Sequence, residues 1–165
     1  MSVQDDIRQT ALRYGVDPAI ALAVAQRESG FNQSARGADG EIGIFQLKPA
    51  TAVEVGVDPY NEAQNIQGGI AYLAQMYRQF GDWTKALAAY NGGPGNMSRG
   101  TTSAQAWGYA QSVLDTAQVY KIMEPGGVAQ EPVLASFLPN LEGVPQWVWL
   151  AGAGALAVVL VVRQG

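Results

Sequence analysis

The chain has 165 residues, with ten Lys plus Arg against fourteen Asp plus Glu, and neither cysteine nor histidine. That length suits one compact domain with an appendage. The composition removes disulfides, thiol nucleophiles, histidine-based triads and most transition-metal sites, so acid–base chemistry has to come from Asp, Glu, Tyr or Lys. No metal or cofactor is expected, and the mildly acidic balance argues against nucleic acid as a partner.

The first residues, Met1-Ser2-Val3-Gln4-Asp5-Asp6-Ile7, are polar and acidic and lack the basic and apolar regions of a secretory signal. Ser2 caps a first predicted helix in which Val3, Ile7, Ala11 and Tyr14 recur at helical spacing, with Gly15 as its stop. Asp17-Pro18 opens a second, with Asp as cap and Pro at the first position. From Pro18 to Glu28 this helix is apolar nearly all round until its last turn, the pattern of a helix buried in the middle of a domain. Ser29-Gly30 then breaks it, which puts Glu28 at the negative end of the helix dipole, where an anion is disfavoured. Burial and dipole both favour a raised pKa and a proton held near neutral pH. A general acid needs that proton.

Residues 31–47 read as loop, broken by Gly37, Gly40 and Gly43, with room for a short hairpin within 38–46. Pro49 opens a short helix through Val55, and Asp58-Pro59-Tyr60 turns the chain into a helix over about residues 65–80. Ile66, Ile70, Leu73, Tyr77 and Phe80 fall on one side of it. Gly81 ends that helix and Asp82 caps the next, which runs to Tyr90, before a tight loop at Asn91-Gly92-Gly93-Pro94-Gly95. A last domain helix spans about residues 103–122, with Ala106, Ala110, Val113, Ala117 and Tyr120 facing inward. Trp83 and Trp107 are assigned to the core. Strand signals are nearly absent, so the fold class is mainly α.

Beyond the domain (residues 1–123), Pro125, Gly126, Gly127, Pro132, Pro139, Gly143 and Pro145 punctuate a stretch without a helical face, read as a linker over 124–145. From Val144 to Val162 no residue is charged, and the apolar run from Trp147 approaches the roughly 30 Å of a bilayer core at about 1.5 Å per residue. Residues 146–163 are therefore expected to form a single C-terminal transmembrane helix. Trp147 and Trp149 would lie at one interface, and Arg163 would reach the other.

Three segments stand out together: Glu28-Ser29-Gly30-Phe31-Asn32, Gly43-Ile44-Phe45-Gln46-Leu47-Lys48-Pro49, and Ala86 through Tyr90-Asn91-Gly92-Gly93-Pro94-Gly95. In this order and at these separations they resemble the catalytic domain of the soluble lytic transglycosylase (SLT) family, which is goose-lysozyme-like, over about residues 10–120. The resemblance implies a lysozyme-like helical domain that cuts the β-1,4 bond between N-acetylmuramic acid and N-acetylglucosamine in peptidoglycan, leaving a 1,6-anhydromuramic end. It carries the catalytic acid/base onto Glu28, a substrate-binding role onto Ser29, its partner in the family's Glu-Ser pair, and a groove-lining role onto Gln46. Tyr90 and Asn91 would support acid and substrate from the opposite wall, and Tyr109 would pack near the glutamate. Three positions depart from the family pattern: Gln33 follows Asn32 where proline is frequent, Gly37 stands where a serine is frequent, and Lys48 replaces an apolar residue.

Plainer readings of each residue exist. Glu28 could pair with Arg27 or Arg36 on the surface, Gln46 could bond loop backbone, and Tyr90-Asn91 could be a core aromatic before a helix-ending Asn. Tyr109 could equally be core. Asp39 and Glu41 lie in the loop facing the groove. A carboxylate about 6.5–9.5 Å from Glu28 would supply a base for water and make the enzyme a hydrolytic muramidase. A silent wall-binding protein on the same fold is the rival from another class. The expected setting is a membrane-anchored enzyme facing peptidoglycan glycan strands, in a bacteriophage virion with an internal membrane or in a bacterial secretion complex, with virion or secretion proteins as possible partners.

Overall fold

A helix that is apolar on every side has to be surrounded, and that requirement organises the protein. The computed structural model describes residues 2–123. They form α1 (Val3–Tyr14), α2 (Pro18–Ser29), α3 (Pro49–Val55), α4 (Glu62–Phe80), α5 (Trp83–Gly92), α6 (Pro94–Arg99) and α7 (Ala104–Met123). In α2 every side chain from Ala19 to Ala25 is buried. α1 and α7 pack on it, and Ile44, Phe45 and Leu47 of the loop that follows join the same core. The alanines let these neighbours approach closely, while fully buried Leu22 and Val24 each contribute on the order of 2 kcal/mol by leaving water. α4 lies against α1 and α5, and α5 against α7, a circuit of packed pairs that completes the enclosure.

Local chemistry sets the helix ends. The Ser2 hydroxyl accepts the Asp5 N–H at 3.2 Å while the Asp5 carboxylate accepts the Ser2 N–H at 3.0 Å, a reciprocal cap. Asp17 accepts the Ala19 N–H at 2.9 Å and Pro18 follows it, as the sequence predicts. Gly30, at φ 60°, stops α2 directly after the Glu28-Ser29 pair.

Five expectations are corrected. α4 starts at Glu62 rather than near residue 65, because Asn61 caps it by accepting the Gln64 N–H at 3.1 Å. Its buried arc includes Tyr72 and Met76, whereas Tyr77 is 38% exposed and stacks on Trp83 at 4.3 Å. The helix is packed by α1, α3 and α5, so more than one stripe is covered. Trp107, also 38% exposed, is not a core residue. Around residues 38–46 two isolated bridges form, Arg36 with Ile42 and Ile42 with Leu47, in place of a regular hairpin.

The fifth correction matters for the site. The predicted loop at Asn91–Gly95 shrinks to Gly93, at φ 89°, between α5 and α6. Gly92 stays helical because it lies beneath Ala106 of α7, where a β-carbon would come within 2.8 Å of that methyl group. Gly93 donates to the Ala89 carbonyl at 2.8 Å and Asn96 caps the Gly92 carbonyl at 2.8 Å. Pro94, lacking an N–H, then begins α6. Asn91 therefore projects from the last turn of a helix.

α4 also shapes the loop between α2 and α3. Asn65 has no exposure. It accepts the Phe45 N–H at 2.9 Å and donates to the carbonyls of Ile42 at 2.8 Å and Pro59 at 2.9 Å. Gln33 donates to the carbonyls of Pro59 and Tyr60 at 3.0 and 3.1 Å, and accepts the Ile44 N–H at 3.3 Å. The Phe45 ring sits on Gly69, where any β-carbon would overlap it. Buried loop backbone is thus satisfied by side chains instead of a sheet.

No helix among the described residues is long and apolar enough to cross a membrane. The expected linker at 124–145 and transmembrane helix at 146–163 lie outside the described residues.

Candidate active site

Glu28 leaves the last turn of α2 on the side that meets the loop and α5. It is partly buried at a cleft of about 220 Å³ whose other walls are Glu41, Gln46, Leu47, Lys48 and Thr51 on one side, and Tyr72, Tyr90, Asn91, Gly92 and Gly93 on the other. The Tyr109 hydroxyl of α7 donates to Glu28 Oε1 at 2.5 Å. Among the described residues no ion pair joins Glu28 to Arg27 or Arg36. Arg36 instead donates to the carbonyls of Gln33 and Ala35 and lies 5.3 Å over the Tyr60 ring.

Burial pushes the Glu28 carboxyl above its ordinary pKa, and the charge of Glu41 adds to this. The Tyr109 hydrogen bond and the nearby Arg27 oppose the rise without cancelling it. Tyr109 and Tyr90 are themselves pushed well above the ordinary tyrosine range, by burial first and then by the neighbouring Glu28. Both remain neutral donors. A partly buried carboxyl whose pKa is raised, placed beside an open cleft, is suited to protonate a leaving oxygen.

The remaining residues are held by backbone bonds. The Tyr90 hydroxyl donates to the Phe45 carbonyl at 2.7 Å, tying α5 to the loop across the cleft. Gln46 adopts φ 45°, a left-handed conformation costing on the order of 1 kcal/mol for a non-glycine residue. It is held there by paired bonds between Ile42 and Leu47, each 3.0 Å, and by its own amide donating to the Gly43 carbonyl at 2.8 Å. Asn91 is exposed at the rim, on the same wall as Tyr90.

Of the residues singled out in the sequence, the fold brings Glu28, Gln46, Tyr90 and Asn91 to one cleft, and Tyr109 onto Glu28 from behind. Ser29 does not line the cleft. Its hydroxyl donates to the Ile44 carbonyl at 2.9 Å and accepts the Asn32 N–H at 3.0 Å, so it fastens the end of α2 to the loop. Sequence reasoning missed Asn65, since a polar residue near the start of an amphipathic helix reads as surface. Its spacing after Asn61 carries no signal that would have separated it from a solvated side chain.

A mainly helical, lysozyme-like domain with a partly buried acid at an open cleft is the class defined by this geometry. The chain belongs to the Transglycosylase SLT domain family, which matches residues 5–112. It is 37% identical over 97 residues to a transglycosylase of Enterobacteria phage PRD1, a stretch covering 58% of this chain and 37% of that protein. It is 38% identical over 99 residues to membrane-bound lytic murein transglycosylase F of Desulfosudis oleivorans, covering 55% of this chain and 22% of the relative. Among solved structures, the fold is similar to an inactive mutant of lytic transglycosylase Slt from Pseudomonas aeruginosa, with TM-score 0.64 and 28% identity over 70% of this chain and 23% of that one. The 70-kDa soluble lytic transglycosylase of Escherichia coli gives TM-score 0.65 and 25% identity over 71% and 24% of the two chains. This chain covers well under half the length of each of these relatives.

The raised pKa carries a stability consequence. Glu28 binds its proton more tightly in the folded state than in the unfolded chain, so its contribution is full below the ordinary pKa of about 4.5 and is lost as pH rises through the folded value. Glu28→Gln should therefore raise the melting temperature at neutral pH, with the gain vanishing below about pH 4, as read by thermal denaturation across that range. A variant equally stable or less stable at neutral pH would contradict the buried-acid description.

Proposed function

We propose that the domain is a peptidoglycan lytic transglycosylase in which Glu28 acts as both acid and base on the bond between N-acetylmuramic acid and N-acetylglucosamine. The observation that carries this reading is the partly buried Glu28 carboxyl lining the cleft, with one oxygen held by Tyr109. The Glu28 proton passes to the glycosidic oxygen as its bond to the anomeric carbon breaks, and the sugar's own acetamido oxygen bonds to that carbon. The resulting Glu28 carboxylate then takes the proton of the muramic 6-hydroxyl as this oxygen displaces the acetamido group. No water is consumed, and Glu28 ends protonated. An internal hydroxyl held near the anomeric carbon has a large effective concentration over solvent. Gln46, Tyr90 and Asn91 would orient the strand.

The rival hydrolase needs a base for water. Glu41 is the second acid lining the cleft, and both its oxygens are already engaged, by the Asp39 N–H at 3.0 Å and by Lys48 at 3.5 Å. That favours the water-free route. Digestion of purified cell walls should release fragments lighter by one water than hydrolysed ones, and Glu28→Gln should reduce release at least about a thousandfold while the protein stays folded. Fully hydrated products would contradict the lytic reaction, and undiminished release by the variant would contradict the role of Glu28.

We further propose that residues 146–163 anchor the domain (residues 1–123) to a membrane through the linker 124–145, and that the enzyme opens the wall locally. Support comes from the uncharged run between Val144 and Val162 and from a phage relative and a membrane-bound one. Delivery of a phage genome is the first setting this suggests, and a bacterial secretion complex the second. The full chain should sediment with membranes and resist alkaline extraction, whereas a chain ending at residue 145 should be released. Equal solubility of the two would refute the anchor.

A further inference from the structure

The cleft holds a second carboxyl group that the reaction above does not use. Glu41 lines the same cleft as Glu28, and its side chain retains 20% of its exposure. Its position is built by the loop. The Gly37 N–H donates to the Glu41 carbonyl at 2.9 Å, and the Asp39 N–H donates to Glu41 Oε2 at 3.0 Å. Oε1 lies 3.5 Å from Lys48 Nζ. A β-carbon at Gly37 would overlap Oε2 and come within 2.9 Å of the Glu41 β-carbon and 3.0 Å of Gln46 Oε1. The carboxylate thus occupies space that exists because residue 37 has no side chain.

We propose that Glu41 is a fixed anion that faces the anomeric carbon of the bound sugar and stabilises the positive charge growing there as the glycosidic bond breaks. This inference rests on the reading of Glu28 as the acid of a glycosidic cleavage. The transition state of such a cleavage resembles an oxocarbenium ion, and a preorganised opposite charge beside the reacting carbon lowers its energy. Glu41 forms no bond and moves no proton.

The local bonding separates this role from that of a base. Partial burial pushes the Glu41 carboxyl up, but its own backbone N–H, the Asp39 N–H and Lys48 outweigh burial and hold it below the ordinary carboxylate range. A group so hard to protonate is a poor general base and a dependable negative charge. Lys48 does not cancel that charge. Its side chain is 57% exposed and its ammonium is shared with Asp39 at 3.7 Å, and exposed pairs of this kind are screened by solvent. The same charge also helps Glu28 keep its proton. The groups acting on Glu28 are Tyr109 from α7, Arg27 from α2 and Glu41 from the loop, and those acting on Glu41 are Lys48 and Asp39.

The test is steady-state cleavage of purified glycan strands by the full chain and by Glu41→Gln, Glu41→Asp and Glu28→Gln, with product masses. Glu41→Gln is expected to lower kcat on the order of 100-fold with KM changed less than about twofold. It should also move the alkaline limb of the pH profile to lower pH, because Glu28 loses a like-charged neighbour. Glu41→Asp, which keeps the charge, should recover at least about tenfold of the loss. The proposal is overturned if Glu41→Gln keeps kcat within about threefold of the parent, if Asp and Gln variants are equally impaired, or if the Gln variant shifts products from hydrated to anhydro ends as loss of a water base would. An inactive parent, or a Glu28→Gln variant as active as the parent, would instead bring down the reading of the site itself.

Discussion

Everything at the cleft follows from the enclosure of one helix. α2 is buried on all sides from Ala19 to Ala25, so its last turn has nowhere to emerge except where the surrounding elements part. Glu28 sits at that opening, held by Tyr109 from α7. The partners that surround α2 for reasons of packing are the same ones that supply the cleft. α7 brings Tyr109, α5 brings Tyr90 and Asn91, and the loop after α2 brings Gln46 and Glu41. Desolvation of the acid is therefore a by-product of the core.

The loop shows how a site can be rigid without regular secondary structure. Its backbone groups are taken up by the buried side chain of Asn65 and by Gln33, and Tyr90 closes it against α5. Leaving such groups unpaired would cost about 1–3 kcal/mol each. Within it, the paired Ile42–Leu47 bonds and the Gly43 carbonyl hold Gln46 in a left-handed conformation. Gln33 stands where a proline is frequent in the family pattern, and its side chain makes three of the bonds that fix the turn at Pro59-Tyr60 and the Ile44 amide.

What the sequence revealed was local. Ser2, Asp17-Pro18 and Pro49 marked helix starts because capping acts within a few residues, and the structure follows them. The acid was legible for the same reason, a carboxylate closing an apolar helix. Features that depend on partners distant in the chain were not legible. The glycines after Asn91 signalled a turn, but Gly92 is helical because α7 needs the space above it. Tyr77 matched the helical stripe of α4, yet Tyr72 and Met76 are the buried residues because α3 and α5 cover a second arc. Ser29 looked like part of the site and instead ties α2 to Ile44.

The central claim is that burial raises the Glu28 pKa above its ordinary value while the side chain accepts a hydrogen bond from Tyr109. Titration of the Glu28 side-chain carboxyl by carbon NMR, in the parent and in Tyr109→Phe, reads this directly. The parent midpoint should lie above the ordinary value of about 4.5, and it should climb further when the phenol that stabilises the charged form is removed. A parent midpoint at or below the ordinary value, or a fall in the variant, would contradict the account.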